Sequence, residues 1–260
     1  MTRYAIILVA LALLLTGFDK VSLAATCNSE STDHRVALLE LYTSEGCNSC
    51  PPADRWLNGL QDRGFDTRRI IPLAFHVDYW DYIGWNDRFA QPAFSQRQRT
   101  AAARNDASFI YTPQFIFNGR DFRNPWVAGR LSENLQPVNN RSAPLKMSLQ
   151  HSTNAKTVRA SLKISNTAAQ SAHVYVALFE NGLHSAVKAG ENAGKKLYHD
   201  YVVRELTDAG IVAPGKILTR QFVIDLPSDS DPRRLGLAAF AEDAVSGATM
   251  QAMSVALCDG

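Results

Sequence analysis

Residues 36–54 read VALLELYTSEGCNSCPPAD, and the way this stretch folds decides how the remainder of the chain is read. Residues 36–42 are a short, nearly continuous apolar run of the kind a buried parallel strand shows, bounded by the turn formers Thr43, Ser44 and Gly46. Pro51 and Pro52 suit a first helical turn, whose N–H groups lack partners in any case, and Trp56, Leu57 and Leu60 then share one apolar face. The expectation is a helix over residues 50–60 with Cys50 as N-cap and Cys47 in the turn ahead of it. The positive end of the helix then faces the Cys47 sulfur and lowers its pKa, making Cys47 the exposed attacking thiolate and Cys50 the more buried resolving thiol. A C-x-x-C pair also suits a structural disulfide or half of a metal site. With four cysteines in all, two of them near the chain ends, and no second C-x-x-C or H-x-x-x-H, the redox reading is preferred.

Toward the N-terminus, Arg3, an apolar run over residues 5–18 and the small residues Ser22-Leu23-Ala24 read as a signal peptide over residues 1–25. The run is shorter than the roughly 20 residues a membrane span needs, so the mature protein is expected to be periplasmic or secreted, with no membrane association after cleavage. An oxidising compartment favours pairing of an even cysteine count. Of three connectivities, the preferred one joins Cys47 to Cys50 and Cys27 to Cys258, the latter a structural staple with α-carbons closer than about 7 Å. Cys27 and Cys258 both free, or paired to other chains, is the open alternative. The formal charge of +2 on 260 residues gives no sign of a nucleic-acid partner, and the length suggests two domains.

Toward the C-terminus, residues 69–77, RIIPLAFHV, read as a second buried strand. Strand, helix, strand makes a crossover whose strands run parallel, with carboxyl ends on one ligand-binding edge. That topology puts His76, Asp78, Tyr79, Trp80 and Asp81 on the rim with Cys47. The aromatic and acidic stretch HVDYWDYIGWNDRF, residues 76–89, is expected to pack over the cysteines. His76 and Trp80 are candidate substrate contacts, and Asp78 or Asp81 a candidate proton acceptor for the resolving thiol; a core histidine and solvated carboxylates are the plainer readings. Residues 92–104 read as a second helix with a solvated face at Gln96, Arg97, Gln98 and Arg99. In SFIYTPQFIFNG, residues 108–119, Thr112-Pro113 is a candidate cis peptide before a strand at residues 114–117 that Asn118-Gly119 turns back.

YTSEGCNSC before a helix, and later YTPQFIFNG, resemble the two signatures of the thioredoxin fold over residues 36–137. The resemblance implies that the proline loop packs against the cysteine pair and that the backbone at Thr112, with Pro113, aligns an extended substrate. More closely, ELYTSEGCNSCPPAD, HVDYWDYIGW and AFSQRQR resemble a family of secreted bacterial thioredoxin-like proteins, the domain of unknown function 1223, through most of the mature chain. The chain departs from thioredoxin itself in having Asn48-Ser49 between the cysteines, no tryptophan before Cys47, and an inserted aromatic loop.

A helix over residues 126–135 and a linker, residues 138–144, are expected to close the first domain. Beyond it, runs at residues 145–150, 157–164, 173–180, 201–206, 217–224, 235–242 and 250–257 are short, mostly alternating and separated by polar turns, which suggests a β-sandwich. Residues 189–204 form a long polar connection carrying His199, Asp200 and Arg204. The expected organisation is an α/β thioredoxin-like domain, residues 26–137, followed by an all-β sandwich-like domain, residues 145–260. Thiol-disulfide exchange with protein thiols or disulfides, without a cofactor, is the expected chemistry. Its rivals are a non-enzymatic binding module and copper handling by Cys47, Cys50 and His76, soft ligands suited to Cu(I).

Overall fold

A computed structural model describes residues 26–258, so the expected signal peptide, residues 1–25, lies outside the described residues. The chain opens with β1 (Thr26–Glu30), then β2 (Ala37–Thr43), in which every residue is buried. A tight turn leads from β2 to α1 (Pro51–Asn58), which has Cys50 as N-cap and proline in its first turn. The fully buried β3 (Ile70–His76) runs parallel to β2, pairing Ala37 with Ile70 through Thr43 with His76. A 3-10 helix, Asp78–Ile83, ends at Gly84, whose φ of 91° suits glycine, and leads into α2 (Pro92–Arg104). The hairpin β4 (Gln114–Phe117) and β5 (Arg120–Asp121) turns on Asn118 and Gly119; a Cβ on Gly119 would lie 2.2 Å from the Gly247 carbonyl oxygen, so no other residue fits.

Then come α3 (Arg130–Asn139), β6 (Leu145–Thr153), β7 (Thr157–Asn166), β8 (Ala172–Glu180), β9 (Leu183–Ala186) and β10 (Lys196–His199). The last strands are β11 (Val202–Val212), β12 (Ile217–Asp225), β13 (Leu235–Asp243) and β14 (Thr249–Ala256). The third helix starts later than the expected residue 126, because Gly129 at φ 79° sits in a left-handed turn ahead of it.

The expected architecture, an α/β thioredoxin-like domain followed by a separate sandwich, is overturned by the sheets. The molecule is mostly β. Strands from both halves form one eight-stranded sheet in the order β14-β13-β8-β11-β3-β2-β4-β5. The physical reason lies at the edge of β3. Its backbone groups are buried and need partners. β11 supplies one: Ala74 N–H donates to the Tyr201 carbonyl at 2.8 Å, with Val202 opposite Ala74. A second sheet, in the order β1-β6-β7-β12, joins the N-terminal strand to strands of the second half. The expected linker is not free either: α3 extends through Asn139, and the Ala143 N–H donates to the Asp33 carbonyl.

Alternation along β8 and β13 shows how the two sheets meet. Val174, Val176 and Leu178 with Leu235, Leu237 and Ala239 face one core, shared with the second sheet. Ala177 and Phe179 with Ala238 and Phe240 face the other, shared with β2, β3 and α1. α2 lies against this second core, which corrects the solvated face expected for residues 96–99 at two positions: Gln96 and Arg99 are exposed, but Arg97 and Gln98 face inward. Gln98 is fully buried, and Arg97 bonds both Glu40, at 2.7 Å, and Glu242 while its guanidinium lies over Phe75, Tyr175 and Phe240.

Candidate functional site

The turn after β2 is held by its own backbone. Cys47 N–H donates to the Ser44 carbonyl, Cys50 N–H to the Cys47 carbonyl, and Asp54 N–H to the Cys50 carbonyl as α1 begins. Cys47 and Cys50 form a disulfide with α-carbons 5.5 Å apart, and Ser49 Oγ lies 3.3 Å from Cys47 Sγ. Both cysteines are fully buried. Cys47 was expected to be exposed, and the correction has an identifiable cause.

A strap over residues 187–195, between β9 and β10, closes the site. Asn192, itself buried, donates through Nδ2 to the carbonyls of Glu45 at 2.8 Å and Cys47 at 2.9 Å, and Lys195 Nζ holds its Oδ1 at 2.8 Å. Asn48 N–H donates to Glu191 at 3.0 Å. Gly190, at φ 72°, presses on Ile83, where a Cβ would come within 3.0 Å of Cδ1; on the opposite approach a Cβ on Gly46 would come within 3.1 Å of the same atom. Ile83 is thus clasped between the cysteine turn and the strap.

The aromatic segment does reach the proline loop. Trp80 Nε1 donates to Thr112 Oγ1 at 2.6 Å, and the Thr112–Pro113 peptide is cis. Beyond Pro113 an aromatic groove of about 310 Å³ is lined by Phe109, Tyr111, Phe115, Phe122 and Trp126. His76, expected as a substrate contact, is fully buried and has no surface to offer. Asp78 and Asp81 are engaged elsewhere, the first with the Ser95 hydroxyl, the second with the Asp87 N–H at 3.3 Å.

Instead, buried ionisable groups collect around His76. Its Nδ1 is 2.6 Å from Asp87 Oδ2, which also accepts the Glu45 N–H at 2.9 Å. Glu45 accepts from Trp85 Nε1 at 2.8 Å. His199 packs its ring 4.9 Å from that of His76, with Nε2 3.3 Å from Glu45 and Nδ1 4.0 Å from Asp54. Burial disfavours an imidazolium at His76, but the adjoining Asp87 carboxylate outweighs it and raises the pKa. Burial likewise opposes charge on Asp87 and Glu45, and their contacts with His76 and His199 respectively pull both below the usual range. At Asp54 burial wins, and the carboxyl is held above the usual range. Glu45, Asp54, Asp87 and Asn192 were not singled out from sequence. Glu45 two residues before Cys47 and Asp54 four after Cys50 were the available signals; His199 was noted only within a polar connection.

At the termini, Cys27 and Cys258 are disulfide-bonded with α-carbons 6.3 Å apart. His151 Nε2 lies 3.4 Å from Cys258 Sγ and accepts its backbone N–H at 3.1 Å. Among the described residues this is the sole trio of His, Cys, Asp or Glu whose donor atoms lie within 4.8 Å of one another. Cys47, Cys50 and His76 do not form such a trio.

Fold and site define a mostly-β protein that buries a C-x-x-C disulfide at a helix start beneath a strap from its second half. The chain belongs to the family described as protein of unknown function (DUF1223), whose model matches residues 38–242. It is similar to a crystal structure of a protein from Agrobacterium tumefaciens, with 25% identity, covering 88% of this chain and 98% of that one, at a TM-score of 0.62. It is also similar to HBP35 of Porphyromonas gingivalis, at 13% identity, 87% and 76% coverage and a TM-score of 0.64, a likeness of fold alone. No curated protein matches it. No helix among the described residues is long and apolar enough to cross a membrane.

Proposed function

We propose that the protein is an exported thiol-disulfide exchange protein whose reactive bond is Cys47–Cys50, gated by the strap over residues 187–195. The observation that carries this reading is a C-x-x-C disulfide at the start of α1, whose own turn and helix carry the buried carboxyls Glu45 and Asp54, each within 4.0 Å of His199, which a purely structural bridge does not need.

The steps follow from the geometry. With the strap lifted, a substrate thiolate attacks Cys47 Sγ; the new S–S bond forms as Cys47–Cys50 breaks, and Cys50 leaves as a thiolate that takes up a proton. A second substrate thiol, losing its proton, attacks its partner sulfur and expels Cys47. The substrate dithiol becomes a disulfide while the pair gains two electrons; Cys50 ends as a thiol and Cys47 as a thiolate, the proton given up when the first substrate thiol ionised going to solvent, and the reverse sequence reduces a substrate disulfide. The N-terminus of α1 and the Ser49 hydroxyl stabilise Cys47 as thiolate. The substrate chain is taken to lie along Thr112 and Pro113 beside Trp80, leading into the aromatic groove.

Full burial of both sulfurs favours a second reading, a binding module with a structural bridge. A redox titration separates the two. A potential in the range of exchange proteins, about −120 to −270 mV, supports the first, and one below about −300 mV the second.

A further inference from the structure

Five titratable side chains from separate segments are buried against one another, two of them on the segments that carry the cysteines: Glu45 in the turn, Asp54 in α1, His76 in β3, Asp87 in the following loop and His199 in β10. Burying such groups is costly unless each is paired, and apolar residues would fill the space at no such cost. All five stand within 4.0 Å of an oppositely chargeable group, but not every polar atom among them is hydrogen-bonded. Glu45 Oε1, His76 Nε2 and both ring nitrogens of His199 have no hydrogen-bond partner among the described residues. His199 nonetheless stands 3.3 Å from one carboxylate and 4.0 Å from another, a small shift short of bonding either. A static ion-pair network would be satisfied throughout. A set with open atoms one short movement from bonding is suited to passing a proton, which needs one contact made as another breaks.

The pair creates the demand for that proton. Cys50 has no exposed surface, so a thiolate leaving there is neutralised from within the protein. Asp54 is one helical turn beyond it, its N–H bonded to the Cys50 carbonyl at 3.1 Å.

We infer that these five groups are an internal proton store for the Cys47–Cys50 pair, Asp54 passing a proton to the departing Cys50 and His199 linking Asp54 to Glu45 and the His76–Asp87 pair. This rests on the exchange reading above. The balance is explicit: Cys50 thiolate and the Asp54 carboxylic acid become thiol and carboxylate, and the proton released by the second substrate thiol returns to Asp54 through His199. The cluster is unchanged over a turnover. Burial raises the pKa of Asp54, which favours the protonated form that the donor role needs. The nearby cations stay outside the cluster: Arg88 and Arg204 lie over the Phe89 ring, at 4.4 and 5.4 Å, and that ring faces His76 and His199. In the strap, Lys195 is held by Asn192 and Glu191 by the Asn48 N–H.

The test uses the mature full-length protein, reduced by dithiothreitol from pH 5 to 9 and followed by rapid alkylation. Asp54→Asn and His199→Gln should each slow release of Cys50 at least about tenfold and flatten its pH profile. Mixed-disulfide formation between Cys47 and an added aromatic disulfide reagent, whose thiol is the leaving group, should be unaffected in a Cys50→Ala background. Thermal melts show that each variant is folded, and Asp54→Glu should recover part of the rate. Unaltered rates, or slower rates with the wild-type pH profile, in folded variants overturn the proton store and leave the exchange reading standing. A folded wild-type protein that does not react with dithiothreitol at any pH overturns both.

Discussion

Asn192→Ala tests the strap, and the size of its effect follows from two hydrogen bonds. In the closed state Asn192 Nδ2 satisfies the Glu45 and Cys47 carbonyls, both within a turn that is otherwise buried. A buried hydrogen bond contributes about 0.5–1.5 kcal/mol net, so losing two destabilises the closed strap by about 2 kcal/mol. Lifted off, the strap leaves those carbonyls to water, so the open state loses nothing comparable. At 1.4 kcal/mol per factor of ten, the open population should rise roughly 30-fold, and so should the rate at which dithiothreitol reduces Cys47–Cys50. The assay is pseudo-first-order reduction with alkylation and mass readout, alongside urea denaturation of the same variant. A rate equal to wild type refutes gating by the strap. So does an acceleration no larger than the loss of global stability accounts for, since reduction would then pass through unfolding.

Replacing Cys27 and Cys258 together with Ser opens a link across 231 residues of sequence separation and should cost about 2–5 kcal/mol in urea midpoint stability while leaving reduction of Cys47–Cys50 intact. Arg97→Met removes the cation between Glu40 and Glu242, leaving buried Glu40 without a cation and Glu242 with Arg104 alone at 3.5 Å, and should destabilise by about 3–5 kcal/mol by the same assay. Asp54→Asn should change stability in a pH-dependent sense. An acid whose pKa is raised on folding loses stability as pH climbs from its unfolded value, about 3.9, through its folded one. The variant should therefore gain relative to wild type at pH 7 and lose that gain near pH 3. For His76, raised by Asp87, stability is present below its unfolded value of about 6.5 and is lost as pH rises through the folded one; Asp87→Asn should remove that dependence in thermal melts between pH 5 and 9.

Local signals were legible where the cause is local. The proline pair after Cys50, the apolar run of β2 and the proline and asparagine that bracket α2 each act within a few residues, and the corresponding elements stand in the structure at or near those places. The organisation above them was not legible. That β3 takes β11 as its outer neighbour depends on residues far apart in the chain, and nothing in RIIPLAFHV distinguishes a strand at the end of a small sheet from one in the middle of a large sheet. The same distance hid the strap. KAGENAGKK is polar and glycine-containing, as an exposed connection would be, and Asn192 is buried only because two carbonyls of the cysteine turn lie across from it. Arg97 misled for the complementary reason: in a run of glutamines and arginines it reads as solvated, and its partners come from β2 and β13.

The placement of Gln251 on β14 bears on the order in which the chain is able to assemble. Its side chain accepts the Val36 N–H at 2.8 Å and donates to the Thr32 and His34 carbonyls at 3.0 and 3.1 Å. The segment leading into β2 therefore has its hydrogen bonds completed by a residue near the far end of the polypeptide, and β1 is tied to that same end through Cys258. A chain emerging N-terminus first from a ribosome or a translocation pore carries β2, α1 and β3 long before β11, Gln251 or Cys258 appear. The cysteine turn is then uncovered, its strap not yet present, and the outer edge of β3 unpaired. Whatever guards the nascent chain meets Cys47 and Cys50 in a more open state than the finished molecule presents at rest.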